Sequence, residues 1–253
     1  MIYLNNNKLN TIFKKGKKVS FIICDFDRTI TTQSSGTTWG IFTNNKLITP
    51  KLHEESSKLY KHYWPIEKDT SVDFDLKCRL MREWAITEAG LFGKYGINQR
   101  LFYEIIDKDE TIVLRKDFID FITLVNKLNI RFYIVSGGIF DVIKYVLEKH
   151  NILFDNMSII SNHLDFTNDY VSGIKGEVIH SCNKNIISLP IASDEHGLLF
   201  GDLPGDRLIG EKYDTIDIGF SNNMSIEEYS KLFDIVLSGN SSFTNVGKLL
   251  LKK

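Results

Sequence analysis

The chain has no charge of either sign to spare, with 31 Lys and Arg against 32 Asp and Glu and a formal net charge of −1. Binding nucleic acid along its backbone calls for a basic excess, because phosphate neutralisation dominates that affinity, so nucleic acid is not an expected partner. A small phosphorylated molecule stays compatible, since a local site can be positive inside a neutral chain. No apolar run approaches a membrane span, and no membrane partner is expected. The first twenty residues hold lysines but no arginine and no apolar core, which argues against a secretory signal and reads as a polar extension. Cysteine is scarce. Cys24, Cys78 and Cys182 are odd in number and lack paired spacing, which points to a reducing, cytoplasmic compartment rather than a disulfide framework. Cys24 lies in an apolar run and reads as a small buried hydrophobe. Internal repeats and low-complexity segments are absent too.

What is present is enough apolar residue, 43% of 253, to bury a substantial core. Val19 to Phe26 is a near-continuous apolar run ending in charge, as expected of a buried parallel strand whose carboxyl tip reaches a site. Arg131 to Val135, Leu198 to Phe200 and Thr215 to Phe220 have the same character, and Asp234 to Leu237 adds a further candidate. Helical spacing lies between them, at Phe118, Phe121, Ile122, Val125 and Leu128, and again at Ile139, Val142, Ile143, Val146 and Leu147. Ser225 to Glu228 forms a capping-box pattern, with Met224 and Tyr229 placed for a hydrophobic staple. Strands alternating with helices predict an α/β fold: a Rossmann-like parallel sheet with helices on both faces and its ligands beyond the strands' carboxyl ends.

Residues 32–114 break this rhythm. They carry helical patterns at Leu52 to Tyr63, Asp75 to Ala89 and Asn98 to Ile106, and all three tryptophans, without a convincing buried strand. The expected organisation is an extension over 1–18, an α/β core from 19–31 and 115–253, and a helical cap over 32–114, inserted after the first strand. Asn162 to Ile179 alternates around Asn168-Asp169, as a β-hairpin does.

Chemistry concentrates at strand tips. Asp25-Phe26-Asp27-Arg28-Thr29 ends the first strand with two acids that repel each other and call for a cation or a proton between them. Mg²⁺ suits such a pair, since it takes one or two carboxylates and completes its shell with phosphate oxygens. Asp202 and Asp206 add two more acids on the glycine-bracketed turn after Leu198 to Phe200. Ser136-Gly137-Gly138 is a strand-to-helix turn whose hydroxyl and bare N–H groups suit a phosphate, or else a glycine turn that needs positive φ. Lys184 would offset phosphate charge if it reached the same place.

These four elements, in this order, resemble the haloacid-dehalogenase superfamily of phosphohydrolases. Finer segments resemble the cytosolic pyrimidine 5′-nucleotidases, among them Tyr63-Trp64-Pro65-Ile66-Glu67, Glu83-Trp84, Val135 to Val142, Val171 to His180 and Asn183-Lys184. The resemblance implies Mg²⁺-dependent hydrolysis of a pyrimidine nucleoside 5′-monophosphate by a monomer or weak oligomer. Asp25 would be the nucleophile and Asp27 the general acid and base. Ser136, Gly137 and Lys184 would hold the phosphoryl group. Asp25, the backbone carbonyl of Asp27, and Asp202 would bind the metal, with Asp206 either joining them or positioning them. Glu67 would contact the base. An ionised carboxylate only accepts hydrogen bonds, so Glu67 favours an amino-bearing or cationic base over uracil. Three departures stand out: Arg28 replaces a smaller or apolar residue, Ser34 to Thr43 follows no shared pattern, and Glu88 stands where serine is usual beside the substrate. The rival within the superfamily is a capped phosphatase for phosphoserine or a sugar phosphate. A receiver-type signalling domain lacks the second acid of the first motif and the large insertion.

Overall fold

The computed structural model describes residues 2–4, 18–69, 71–222, 225–239 and 241–243. Among these, eight strands form one sheet. They are β1 (Ile2–Leu4), β2 (Val19–Cys24), β3 (Arg131–Ile139), β4 (Met157–Thr167), β5 (Tyr170–Lys175), β6 (His196–Gly201), β7 (Asp214–Ser221) and β8 (Ile235–Ser238). Their order across the sheet is β1-β8-β7-β6-β2-β3-β4-β5, parallel throughout except for β1 against β8 and β4 against β5. The helices are α1 (Gly40–Thr43), α2 (Pro50–Lys68), α3 (Phe74–Lys94), α4 (Gln99–Lys108), α5 (Phe118–Lys127), α6 (Phe140–Lys149), α7 (Arg207–Gly210) and α8 (Ile226–Ser230).

Strand β2 is buried on both faces because its side chains alternate. Ile22 and Cys24 enter one core with residues of α5 and α6, while Phe21 and Ile23 enter another with Tyr229 and Phe233. Cys24 is fully buried, as a small hydrophobe would be, and burial pushes its thiol pKa up. From β2 the chain builds outward through β3 and β4 on one side, then returns to lay down β6, β7 and β8 on the other. The order reverses beside β2, so a crevice opens beyond its carboxyl tip.

The insertion is helical, as its periodicity predicts, and each long helix starts at a side-chain cap. Thr49 accepts from Leu52 N–H at 3.4 Å with Pro50 following it, Asp73 accepts from Leu76 N–H at 2.9 Å, and Asn98 accepts from Leu101 N–H at 2.8 Å. Helix α2 runs past Pro65 to Lys68, a turn further than the apolar pattern indicates, which carries Trp64 and Glu67 onto its end. Phe42, Ala89, Phe92 and Phe102 of the insertion share a core with Val142 of α6 and with Leu164 and Val171 of the β4–β5 hairpin.

Two strands differ from their sequence outline. Strand β4 begins at Met157, beside β3, before it enters the hairpin, and its apolar Met157, Ile159 and Ile160 are only partly buried. Residues 2–4 of the expected extension pair with β8 and cover that edge of the sheet; residues 5–17 lie outside the described residues. The capping box at Ser225 and Glu228 forms, while Met224, the other half of the expected staple, lies outside the described residues.

Candidate active site

Asp25 follows the last paired residue of β2, its N–H donating to the Phe200 carbonyl at 3.0 Å. The chain then turns sharply: the Phe26 carbonyl accepts from Thr29, Ile30 and Thr31 at 3.3, 2.9 and 3.1 Å, and Arg28 takes φ of 63°. That turn aims the first motif into a cavity of about 620 Å³. Asp25, Asp27, Ser136, Gly137, Lys184, Asp202 and Asp206 line its floor, and Tyr60, Trp64, Glu67, Trp84 and Glu88 line the side built by α2 and α3. Every candidate residue from the sequence therefore meets in one place.

Lys184 is buried, with Nζ 2.6 Å from Asp25 Oδ1 and 2.7 Å from Asp206 Oδ1. Burial works against its ammonium, but Asp206 and Asp25 outweigh that and hold its pKa above the ordinary lysine value. The second oxygen of Asp206 accepts from the N–H groups of Asp202 and Leu203, both at 2.9 Å. Asp206 is thus engaged on both oxygens and fixes the Asp202 turn to Lys184. Gly205 permits this turn: a Cβ there would sit 1.8 Å from the Ser181 carbonyl oxygen.

Burial raises the Asp25 pKa to about 7 against the pull of Lys184, and raises that of Asp202 well above the carboxylate range with help from Asp206 and Asp25. Asp25, Asp202 and Asp206 offer oxygens within 4.8 Å of one another. Three buried carboxylates gathered together, two of them on the Lys184 ammonium, are hard oxygen ligands that fit a divalent cation. Asp25 and Asp202 are the carboxylates left to bind it, Asp206 being committed elsewhere.

Asp27 is held by a residue that sequence reasoning passed over. Thr38 donates its N–H to the two carboxylate oxygens at 3.1 and 3.2 Å and its hydroxyl to Oδ2 at 2.8 Å. Burial lifts the Asp27 pKa to about 6 against these bonds. Thr38 lies just before α1, in the segment Ser34 to Thr43 that has no periodicity to mark it.

The Ser136 turn does not take the positive-φ form that its glycines could have signalled. Strand β3 continues to Ile139 with a register shift after Val135, and neither Gly137 nor Gly138 has positive φ. Gly138 is required for space instead, since a Cβ would lie 2.5 Å from Thr38 Oγ1 and 3.1 Å from Ser136 Oγ. Asn162, also unmarked in the sequence, ties this turn to the next loop by donating to the Gly137 and Ile179 carbonyls, both at 2.8 Å. Trp39 donates from its indole to the same Gly137 carbonyl at 2.9 Å.

Across the cavity, Glu67 is half-buried. Burial raises its pKa, while the Ser181 hydroxyl and Arg28 pull it down. Glu88 is buried, accepts from Ser56 Oγ at 2.5 Å, and has its pKa raised by burial. Arg115 lies beneath the floor, donating to the carbonyls of Thr29 at 2.9 Å, Arg28 at 2.6 Å and Ser241 at 3.2 Å, and to that of Gly239.

The sheet order, the paired acids after β2 and the lysine that joins Asp25 to Asp206 after β6 define a phosphohydrolase of the haloacid-dehalogenase type. A phosphoserine phosphatase, solved as a phospho-aspartyl intermediate analogue, shares the fold at 16% identity, with a TM-score of 0.60 over 92% of this chain and 100% of its own. Residues 27–252 match the pyrimidine 5′-nucleotidase (UMPH-1) family, and the chain belongs to that family. It is a phosphoric monoester hydrolase. Cytosolic 5′-nucleotidase IIIB bound to cytidine is 27% identical with a TM-score of 0.79, covering 97% of this chain and 89% of that one. The 7-methylguanosine phosphate-specific 5′-nucleotidase A of Xenopus laevis is 27% identical over 96% of this chain and 91% of its own.

Proposed function

We propose that this enzyme hydrolyses nucleoside 5′-monophosphates in the cytoplasm, with Mg²⁺ and through a phospho-aspartate at Asp25. One observation carries the reading: buried acids linked by Lys184 form the floor of a cavity whose far side presents Tyr60, Trp64 and Trp84. A phosphate on the floor leaves an attached base among those rings, where stacking suits any nucleobase. Residues 32–114 then act as a cap over the core of 19–31 and 115–253. The paired ends of the insertion support that boundary: Thr31 bridges Leu114, and Thr32 N–H donates to the Val113 carbonyl at 2.9 Å.

In the first half-reaction an Asp25 oxygen bonds to phosphorus as the bond to the 5′-oxygen breaks, and Asp27, aimed by Thr38, gives that oxygen its proton. In the second, Asp27 takes a proton from water, the water oxygen bonds to phosphorus, and the Asp25–phosphorus bond breaks to release phosphate. Lys184 and the Ser136–Gly138 turn hold the phosphoryl oxygens throughout, where fixed donors act most strongly because the site is buried. Mg²⁺ on Asp25, Asp202 and the Asp27 carbonyl would screen nucleophile from phosphate and align them.

Phosphate release from CMP, UMP, GMP, 7-methyl-GMP, phosphoserine and sugar phosphates, with Mg²⁺, tests the reading. Nucleotides should exceed the other esters by orders of magnitude in kcat/KM. Preference for phosphoserine or a sugar phosphate would replace the substrate class and leave the mechanism standing.

A further inference from the structure

The Trp64 ring is already in contact with cations. The Arg28 guanidinium carbon lies 4.8 Å from its centroid and Lys68 Nζ also 4.8 Å, while Tyr60 stacks on it at 5.7 Å and 16°. Both distances fall within reach of a cation–π attraction. Helix geometry places the Lys68 ammonium, four residues after Trp64 on α2. Arg28 comes from the turn after β2, one residue after Asp27. Its backbone is pinned: its N–H donates to Thr31 Oγ1 at 2.7 Å, and its carbonyl accepts from Arg115 at 2.6 Å and Asn222 at 2.9 Å. The first motif therefore delivers a fixed cation to an aromatic ring of the insertion.

We infer that Arg28 and Lys68 are specificity determinants that bias the base seat toward neutral bases and against cationic ones. The inference rests on the nucleotidase reading and refines it. A positively charged base such as 7-methylguanine gains most from an aromatic face with free negative potential. Here that potential is shared with two side-chain cations, which also repel an incoming positive ring. Glu67 does not restore the balance while Arg28 is in place, because the two charges offset each other. A neutral base meets neither penalty and stacks by dispersion and dipole alone. Arg28 and Lys68 thus oppose the preference that Glu67 alone would set.

GMP and 7-methyl-GMP differ by one methyl group and its positive charge, so their ratio of kcat/KM reads the effect directly. In Arg28→Met the ratio of 7-methyl-GMP to GMP should rise about fivefold or more, and in Lys68→Met by a smaller factor in the same direction. Arg28→Lys keeps the charge and should hold the ratio within about twofold of wild type. An unmoved or falling ratio in Arg28→Met overturns the inference. If that variant is inactive on both substrates, Lys68→Met decides alone, its site being on the exposed end of α2. A wild-type enzyme that hydrolyses no nucleotide overturns the nucleotidase reading, and the inference falls with it. Nucleotide hydrolysis with an unmoved ratio overturns the inference only.

Discussion

Thr38 grips the Asp27 carboxylate with its N–H at 3.1 and 3.2 Å and with its hydroxyl at 2.8 Å, and that hydroxyl accepts in turn from Ile139 N–H at 3.2 Å. One side chain therefore ties the proposed acid and base to the end of β3, beside the phosphate turn. Thr38→Val removes the hydroxyl at nearly constant shape. We expect kcat to fall roughly 10–100-fold, part of the full worth of a positioned proton donor. KM should change little, and Thr38→Ser should recover most of the rate. Steady-state kinetics check this; wild-type kcat in Thr38→Val would free Thr38 of the role.

Asp27 also costs stability. Burial raises its pKa from the ordinary 3.8 to about 6, so the folded chain prefers the neutral carboxyl. The protonated form is favoured on folding below about pH 4, and that advantage is lost as pH rises through about 6. Asp27→Asn is neutral at every pH. Measured in EDTA, its Tm should match the wild type near pH 4 and exceed it at pH 7.5, the gap opening between those values. A gap that is constant with pH would show that the carboxylate is not held at a cost.

Asp202 has fewer protein partners than Asp206, with Asn222 Nδ2 at 3.4 Å from one oxygen, which leaves it free to ligate. Asp202→Ala should require much more Mg²⁺ for half-maximal rate, and EDTA should silence the wild type. Ca²⁺ should inhibit, since its larger and looser shell misplaces the reacting groups. Full activity in EDTA would remove the metal from the account.

Arg115 is buried, and its guanidinium satisfies carbonyls both on the first-motif turn and at Gly239 and Ser241. Arg115→Met keeps the stem and strands those oxygens. The loss should exceed about 1.5–3 kcal/mol, the worth of one hydrogen bond to a charged group. Urea unfolding measures it, and a change under about 0.5 kcal/mol, the range of an ordinary surface substitution, would contradict the role.

Much of this was legible in the sequence for a physical reason. Buried parallel strands advertise themselves as apolar runs, so β2, β3, β6 and β7 stand out, and Asp25, Asp202 and Ser136 sit at or just beyond such runs. Thr38, Asn162 and Arg115 were not legible, because each acts through hydrogen bonds to backbone or side chain distant in sequence. A lone polar residue in a loop has no period. Strand β4 was missed at its start because Met157, Ile159 and Ile160 make too short an apolar run to mark a strand by themselves, and the end of α2 because proline usually closes a helix. Gly138 was marked as a turn, but its reason, the 2.5 Å approach of Thr38, exists only in three dimensions.

The central claim is that phosphate passes through Asp25. Mixing the enzyme with a ³²P-labelled nucleoside monophosphate and Mg²⁺, then quenching in acid within one turnover, should trap one labelled phosphoryl group on the peptide that contains Asp25. The label should be lost on treatment with hydroxylamine, as an acyl phosphate is, and Asp25→Asn should trap none while keeping its fold by circular dichroism. Turnover with no labelled protein at any quench time, or a label retained in Asp25→Asn, would contradict the account.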